Sequence, residues 1–222
     1  MQPRKAPSAF HLKIQAALRW IETHREQFWS AAALVFLAGL FAFFIVRHHQ
    51  TENEEAWNQL GAVQGQLTEN ETEAARKSLS AWEPRFADSS AATYAQFLKA
   101  DLLYKTSDYA QAAQVYGQLA QSARPLDLRP LALSAQSSSE EMAGHYPQAY
   151  ALAQSFTNQY PDHYLAAPMY LAQARLAELT GNPSAASAVY DRFVILFPQS
   201  PWTDLARSRQ QALAGSKPPL PK

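Results

Sequence analysis

Four places in this chain bring together groups that could do chemistry. His48 and His49 are adjacent, and neutral imidazoles bind metals or titrate near pH 7. Adjacent side chains point to different sides of a helix, so the two read as an interfacial pair at the end of an apolar stretch. Glu54-Glu55 and Glu140-Glu141 have the composition of paired acids for proton transfer, yet they read as solvated carboxylates. Asn70-Glu71-Thr72 has the form of a glycosylation acceptor, a single short match with no other sign of a eukaryotic secretory protein. The chain has no cysteine, which excludes disulfides, thiolate metal sites, a cysteine nucleophile and a lipidated amino-terminal cysteine. It also lacks a P-loop, a GxGxxG, a GxSxG and an HExxH. The expectation is a protein that is no enzyme, with no catalytic residue, cofactor, metal site or small-molecule substrate.

The elements around these residues are organised by one stretch, Phe28 to Val46, FWSAAALVFLAGLFAFFIV, which runs 19 residues without a charge. At about 1.5 Å per residue a helix of this length covers roughly 28 Å, close to the hydrocarbon thickness of a bilayer. It reads as a transmembrane helix, with Trp29 at one end and Arg47-His48-His49 at the other as interfacial groups. Arg4, Lys5, Lys13, Arg19 and Arg25 precede it, whereas Arg47 and then Glu52, Glu54 and Glu55 follow it. The neutral chain is thus split, with a net +3 over residues 1–27 and −3 over 47–222. The basic end is expected in the cytoplasm, and the absence of a small-x-small site after Val46 makes the stretch an uncleaved signal anchor. Within residues 8–25, Phe10, Ile14, Ala17, Leu18 and Ile21 fall at helical spacing, as a membrane-surface helix or a solvated one.

Beyond His49 the chain repeats itself every 37 residues. Ala75, Ala112, Ala149 and Ala186 share one register position, and five residues before them stand the turn formers Asn70, Ser107, Gly144 and Gly181. Seven after the alanines come Trp82, Leu119, Phe156 and Phe193; four after come Leu79, Tyr116, Ala153 and Tyr190. Pro161 and Pro198 close the last two units. These columns describe a helical hairpin: a turn ends the first helix, a small alanine lets the second approach it, and large apolar groups fill the gap to the next hairpin. First helices are predicted over about 51–67, 90–106, 128–143 and 165–180, and second helices over about 71–86, 108–121, 146–159 and 183–197. Pro201 to Leu213 continues the period as a helix without a partner, with Asp204, Arg207 and Arg209 facing solvent as suits a terminal cap. The predicted organisation is a basic segment 1–27, an anchor 28–46, a helical domain 50–213 and a disordered tail 214–222.

The columns resemble the tetratricopeptide repeat (TPR): the turn residue, Tyr109 or Tyr146 two residues on, the alanine five on, and the closing proline sit at its usual offsets. Ser134, Gln136 and Ser137 stand in the third unit where that pattern prefers large or apolar groups, which predicts loose packing there. With one signal anchor and a short basic amino end, the layout resembles the TPR-like family that includes the ancillary subunit of the SecYEG translocon. That resemblance implies an all-α fold, one transmembrane helix followed by an α-solenoid of about four helical hairpins and a capping helix. It implies a single-pass bacterial inner-membrane protein with a periplasmic domain that assists proteins leaving the translocon alongside chaperones. It also implies binding on the concave face of the first helices, where the register nominates Trp57, Tyr94, Phe97, Asp101, Tyr104, Lys105, Glu141, Arg175 and Glu178.

The mixture of aromatic, acidic and basic groups on this face suits a protein partner better than a nucleic acid. The expected role is therefore a membrane-tethered scaffold for protein–protein interaction. The alternative is a structural accessory subunit of another membrane complex held through its transmembrane helix, for which Ala31, Ala32, Ala33, Ala38 and Gly39 permit close helix contact.

Overall fold

The structure, a computed structural model, describes Trp20 and residues 23–215. The predicted segment 8–25 lies largely outside the described residues. Those residues form nine α-helices and no strand. The chain divides into two units, Met1–Glu54 and Glu55–Lys222.

In the first unit the described chain is dominated by α1, which spans Arg25–Thr68 and continues into the second unit. The sequence suggested an interruption near residues 47–50; the helix runs on because RHHQ holds neither glycine nor proline to stop it. Leu34, Val35, Phe36, Phe41 and Phe44 are all exposed, so nothing among the described residues covers the apolar surface. By length and composition this is a helix that could cross a membrane. His48 Nε2 lies 3.2 Å from the Glu52 carboxylate one turn on, an exposed pair.

In the second unit the last part of α1 is followed by α2 (Thr72–Phe86), α3 (Ala92–Lys105), α4 (Tyr109–Ser122), α5 (Leu128–Met142), α6 (Tyr146–Gln159), α7 (Ala166–Leu179), α8 (Pro183–Leu196) and α9 (Thr203–Gly215). From α2 to α9 each helix packs on its neighbour in sequence. Four turns of one geometry make the hairpins. Asn70, Ser107, Gly144 and Gly181 adopt φ of 62°, 63°, 83° and 73°, the left-handed conformation that reverses a helix end. Their amides bond back three residues at 2.9–3.3 Å, and the next residue's amide bonds back five at 2.8–2.9 Å, which together satisfy carbonyls the helix end would orphan. The carbonyls of Glu71, Asp108, His145 and Asn182 then accept from Ala75, Ala112, Ala149 and Ala186, the first bonds of the second helices.

The apolar columns point inward. All four register alanines are fully buried, and Trp82, Leu119, Phe156 and Phe193 are buried with them. Trp82 keeps its ring nitrogen satisfied by donating to the Ala56 carbonyl at 2.9 Å, which fastens α2 to α1. At the far end of α6 and α8, Tyr160 and Phe197 leave the helical region, with φ,ψ of −131°,53° and −127°,56°. Each precedes a proline, Pro161 or Pro198, whose ring disfavours helical backbone in the residue before it.

The third unit is not loose. The contact of α4 with α5 is the most extensive of any helix pair. Ser137 and Ser139 are buried and donate to the Ala149 and Ala135 carbonyls at 3.0 and 2.8 Å. Small hydroxyl residues draw the helices together and satisfy themselves on backbone oxygen. Gln136 covers Gly117 so closely that a β-carbon there would meet its Nε2 at 2.8 Å. The last helix also runs further than expected, through the strong helix former Ala214 to Gly215, so residues 214–215 belong to α9 and only 216–222 lie outside the described residues.

Candidate interaction groove

The first helices α1, α3, α5, α7 and α9 carry one unbroken apolar register column: Trp57, Tyr94, Leu131, Pro168 and Leu205. Its two ends behave differently. Near the amino end the nominated residues are used within the chain. The rings of Trp57 and Tyr94 lie 4.9 Å apart, and Trp57 Nε1 donates to Ser90 Oγ at 3.0 Å. Phe97 packs on Tyr116 at 6.2 Å and Tyr104 meets Tyr109 edge-on at 5.1 Å. Lys105 Nζ donates to the Leu67 carbonyl at 2.5 Å and to Asn70 Oδ1 at 3.1 Å, tying the second hairpin to the first turn. Asp101 accepts from the Tyr116 hydroxyl. Burial raises the Asp101 carboxyl above its ordinary range, against the opposing pull of that bond and of Lys105. Burial together with Asp101 pushes Tyr116 far up.

Near the carboxyl end the same face carries two ion pairs. Arg175 on α7 makes a forked bond to Glu141 on α5, with Nη2 to Oε2 at 2.8 Å. Arg209 Nη2 on α9 donates to Glu178 Oε2 on α7 at 2.7 Å, while Tyr190 donates its hydroxyl to Glu178 Oε1 at 2.8 Å. Burial and the Glu178 partner push the Tyr190 phenol up to about 12. Between α7 and α9 opens a pocket of about 510 Å³, floored by Pro168, Leu171 and Ala172, walled by Trp202 and Leu205, with Arg175 and Arg209 at its rim. Trp202 and Leu205 are 41% and 54% exposed.

Of this pocket the sequence nominated only Arg175, with Glu141 and Glu178 behind it. Arg209 faces solvent as expected, and its guanidinium also reaches back to Glu178 in the preceding hairpin. Leu205 could have been found by carrying the period one step into the last helix; Trp202, in the link before α9, offered no such signal.

The domain has further hollows. One of about 470 Å³ lies among α2, α3 and α4 beside the Lys99–Glu83 pair, joined at 2.8 Å. Another of about 260 Å³ lies between α6 and α8, against Gln173. Among the described residues no three His, Asp or Glu side chains converge as a metal site. The face offers aromatic and apolar packing surface together with hydrogen-bonding and charged groups. Fold and groove together define an all-α protein of serial helical hairpins preceded by a long apolar helix. No protein-family model and no curated protein matches the chain.

Proposed function

We propose that the chain is a membrane-tethered, TPR-like scaffold that binds protein partners through the face of its first helices. The observation that carries this reading is the pocket between α7 and α9, where Trp202 and Leu205 stay exposed beside an apolar floor. In this reading residues 28–46 cross the inner membrane of a bacterium, the basic amino end stays in the cytoplasm and the helical domain stands in the periplasm. The family that the sequence resembles suggests the translocon and its chaperones as the setting. The hairpin turns give the domain a rigid spacing, and the anchor supplies local concentration at the membrane.

Orientation is tested by cysteine labelling in inverted vesicles: Ser8→Cys should react with an impermeant thiol reagent and Ser216→Cys should not, and the opposite pattern reverses the topology. Partner binding is tested with a photoreactive residue in place of Tyr94 or Leu205 in the membrane-bound full chain. Exchange of residues 28–46 for an unrelated apolar span of equal length should leave the cross-linked proteins unchanged. Their loss on that exchange would instead assign the chain as an accessory subunit held through its membrane helix, whose flank from Leu34 to Phe44 is exposed.

A further inference from the structure

Two hollows beside the second helices share one register and are filled differently. Glu83 and Thr157 stand two periods apart, as do Lys99 and Gln173. In the hollow among α2, α3 and α4 the chain supplies its own carboxylate, Glu83, to Lys99 at 2.8 Å. In the hollow of about 260 Å³ between α6 and α8 the Thr157 hydroxyl takes the place of that carboxylate and donates to Gln173 Oε1 at 3.1 Å. The Gln154 carbonyl lies equally near the hydroxyl but is served within α6 by the amide four residues on, so Gln173 is where the hydroxyl proton is needed. Gln173 is 5% exposed and lines the hollow, and its amide nitrogen has no hydrogen-bond partner among the described residues. One period earlier Gln136 lays its amide over Gly117; here Gln154 stands at the Gly117 position, and its side chain removes that bed.

Among the described residues that line this hollow, Arg192 alone carries a charge. Its guanidinium lies over the Tyr170 ring, 5.7 Å from the centroid, and Tyr170 is one helical turn before Gln173 on α7. Arg192 pairs with no carboxylate among the described residues. Its neighbour Asp191 lies outside the lining and accepts from Gln210 on α9. We propose that the hollow between α6 and α8 binds a carboxylate on a short aliphatic stem, such as a glutamate side chain, held between the Arg192 guanidinium and the Gln173 amide nitrogen. The stem lies against Ala188 and Val189, and the exposed carboxamides of Gln154 and Asn158 stand at the mouth. The bound acid restores from outside the charge balance that Glu83 and Lys99 reach within the chain. A cationic group meets Arg192 with no acid in the wall to receive it, and a neutral amide forgoes the charge-assisted bond. This site belongs to the side of the second helices and goes beyond the scaffold reading, which concerns the first-helix face.

The test uses the isotope-labelled full chain in non-ionic detergent micelles, titrated with the end-blocked peptide GSGEGSG, its counterpart GSGQGSG, and glutarate. The NMR signals of the Gln173 side-chain amide and the Ala188 backbone amide report binding. GSGEGSG should shift them saturably with a Kd of about 1 mM or below, weakening with added salt, and GSGQGSG should bind at least about tenfold more weakly. Arg192→Gln, at an exposed position, should weaken GSGEGSG at least about tenfold with the helical circular dichroism unchanged. Gln173→Glu still accepts from Thr157 but sets a charge where the N–H donor was, and should do the same at the Ala188 signal. Should that variant fail to fold, Arg192→Gln decides. Arg175→Gln, in the other pocket, should leave binding unaltered. Glutarate binding as tightly as the peptide assigns the site to a free acid, and a peptide at least about fivefold tighter assigns it to a protein side chain; both uphold the carboxylate site. Equal binding of GSGQGSG, indifference to Arg192→Gln, or no saturable shift at about 10 mM peptide overturns the proposal.

Discussion

The turn edge and the first-helix face of the same hairpins obey different rules. Along the turn edge every unit does the same thing: a left-handed residue, two bonds back to the helix end, and a buried alanine four positions into the next helix. Along the first-helix face the residues occupy the same register but make different interactions. Trp57 packs against Tyr94 in the first two units, while the fourth and fifth leave Pro168 and Leu205 lining an open pocket. The repeated positions solve a problem that recurs in each unit, how to reverse the chain and bring two helices together. The varied positions face no such common demand, so there composition is free to follow a partner.

This contrast is open to direct attack, beginning where the effect should be largest. Ala149→Glu places a charge and extra volume where the residue is wholly buried, and should destabilise the domain by about 4 kcal/mol or more in thermal unfolding of the full chain. Its exposed neighbour, changed as Gln148→Glu, should stay within about 0.5 kcal/mol, and similar melting of the two would dissolve the distinction between the regions. Ser107→Gly should stabilise by up to about 1 kcal/mol, because a left-handed residue with a β-carbon costs about 1–2 kcal/mol and the added freedom of glycine returns about 0.5–1. Destabilisation by that change would mean the Ser107 turn is held differently from Gly144.

Leu205→Asp belongs to the other region and should shift stability by less than about 0.5 kcal/mol while reducing partner capture. The smallest effect concerns pH. The folded chain holds the Asp101 proton more tightly than an unfolded chain with its ordinary value of 3.8, so this contribution to stability is whole below 3.8 and fades as pH rises through the raised value. Asp101→Asn should therefore gain on the wild type as pH rises from 3.8 through that raised value, and parallel melting curves over that rise would rule out the coupling.

The difference between the regions also explains what could be read from sequence. Turn residue, alanine and apolar group lie within about a dozen positions of one another, so local spacing exposes them, and from α2 onward the helix ends follow to within two residues. Side chains on the first-helix face meet partners some 30 residues away, as Arg209 meets Glu178, and no local pattern announces which pairs will close. Size was a poor guide to packing. Ser134, Gln136 and Ser137 suggested a gap, but the short Ser137 side chain bonds to the Ala149 carbonyl and lets α5 fit closely against its neighbours. Arg209 is solvent-exposed as its position suggests, and the bond it also makes is what the sequence did not announce, since a long side chain can keep half its surface wet and still hold a carboxylate at 2.7 Å.

The four reversals end and begin in the same conformation, with φ,ψ of −81°,62° at Glu71, −85°,60° at Asp108, −85°,58° at His145 and −113°,74° at Asn182. Every seam in the array is therefore cut to one template, and the pieces between seams are interchangeable lengths. Excising Asp108 through Gly144 would bring Ser107 directly to His145, a left-handed residue followed by a helix-starting one, as at every existing seam. Such a chain can shorten or lengthen by whole units without inventing a new joint, and the distance between its two ends becomes a quantity that duplication and deletion can set in discrete steps.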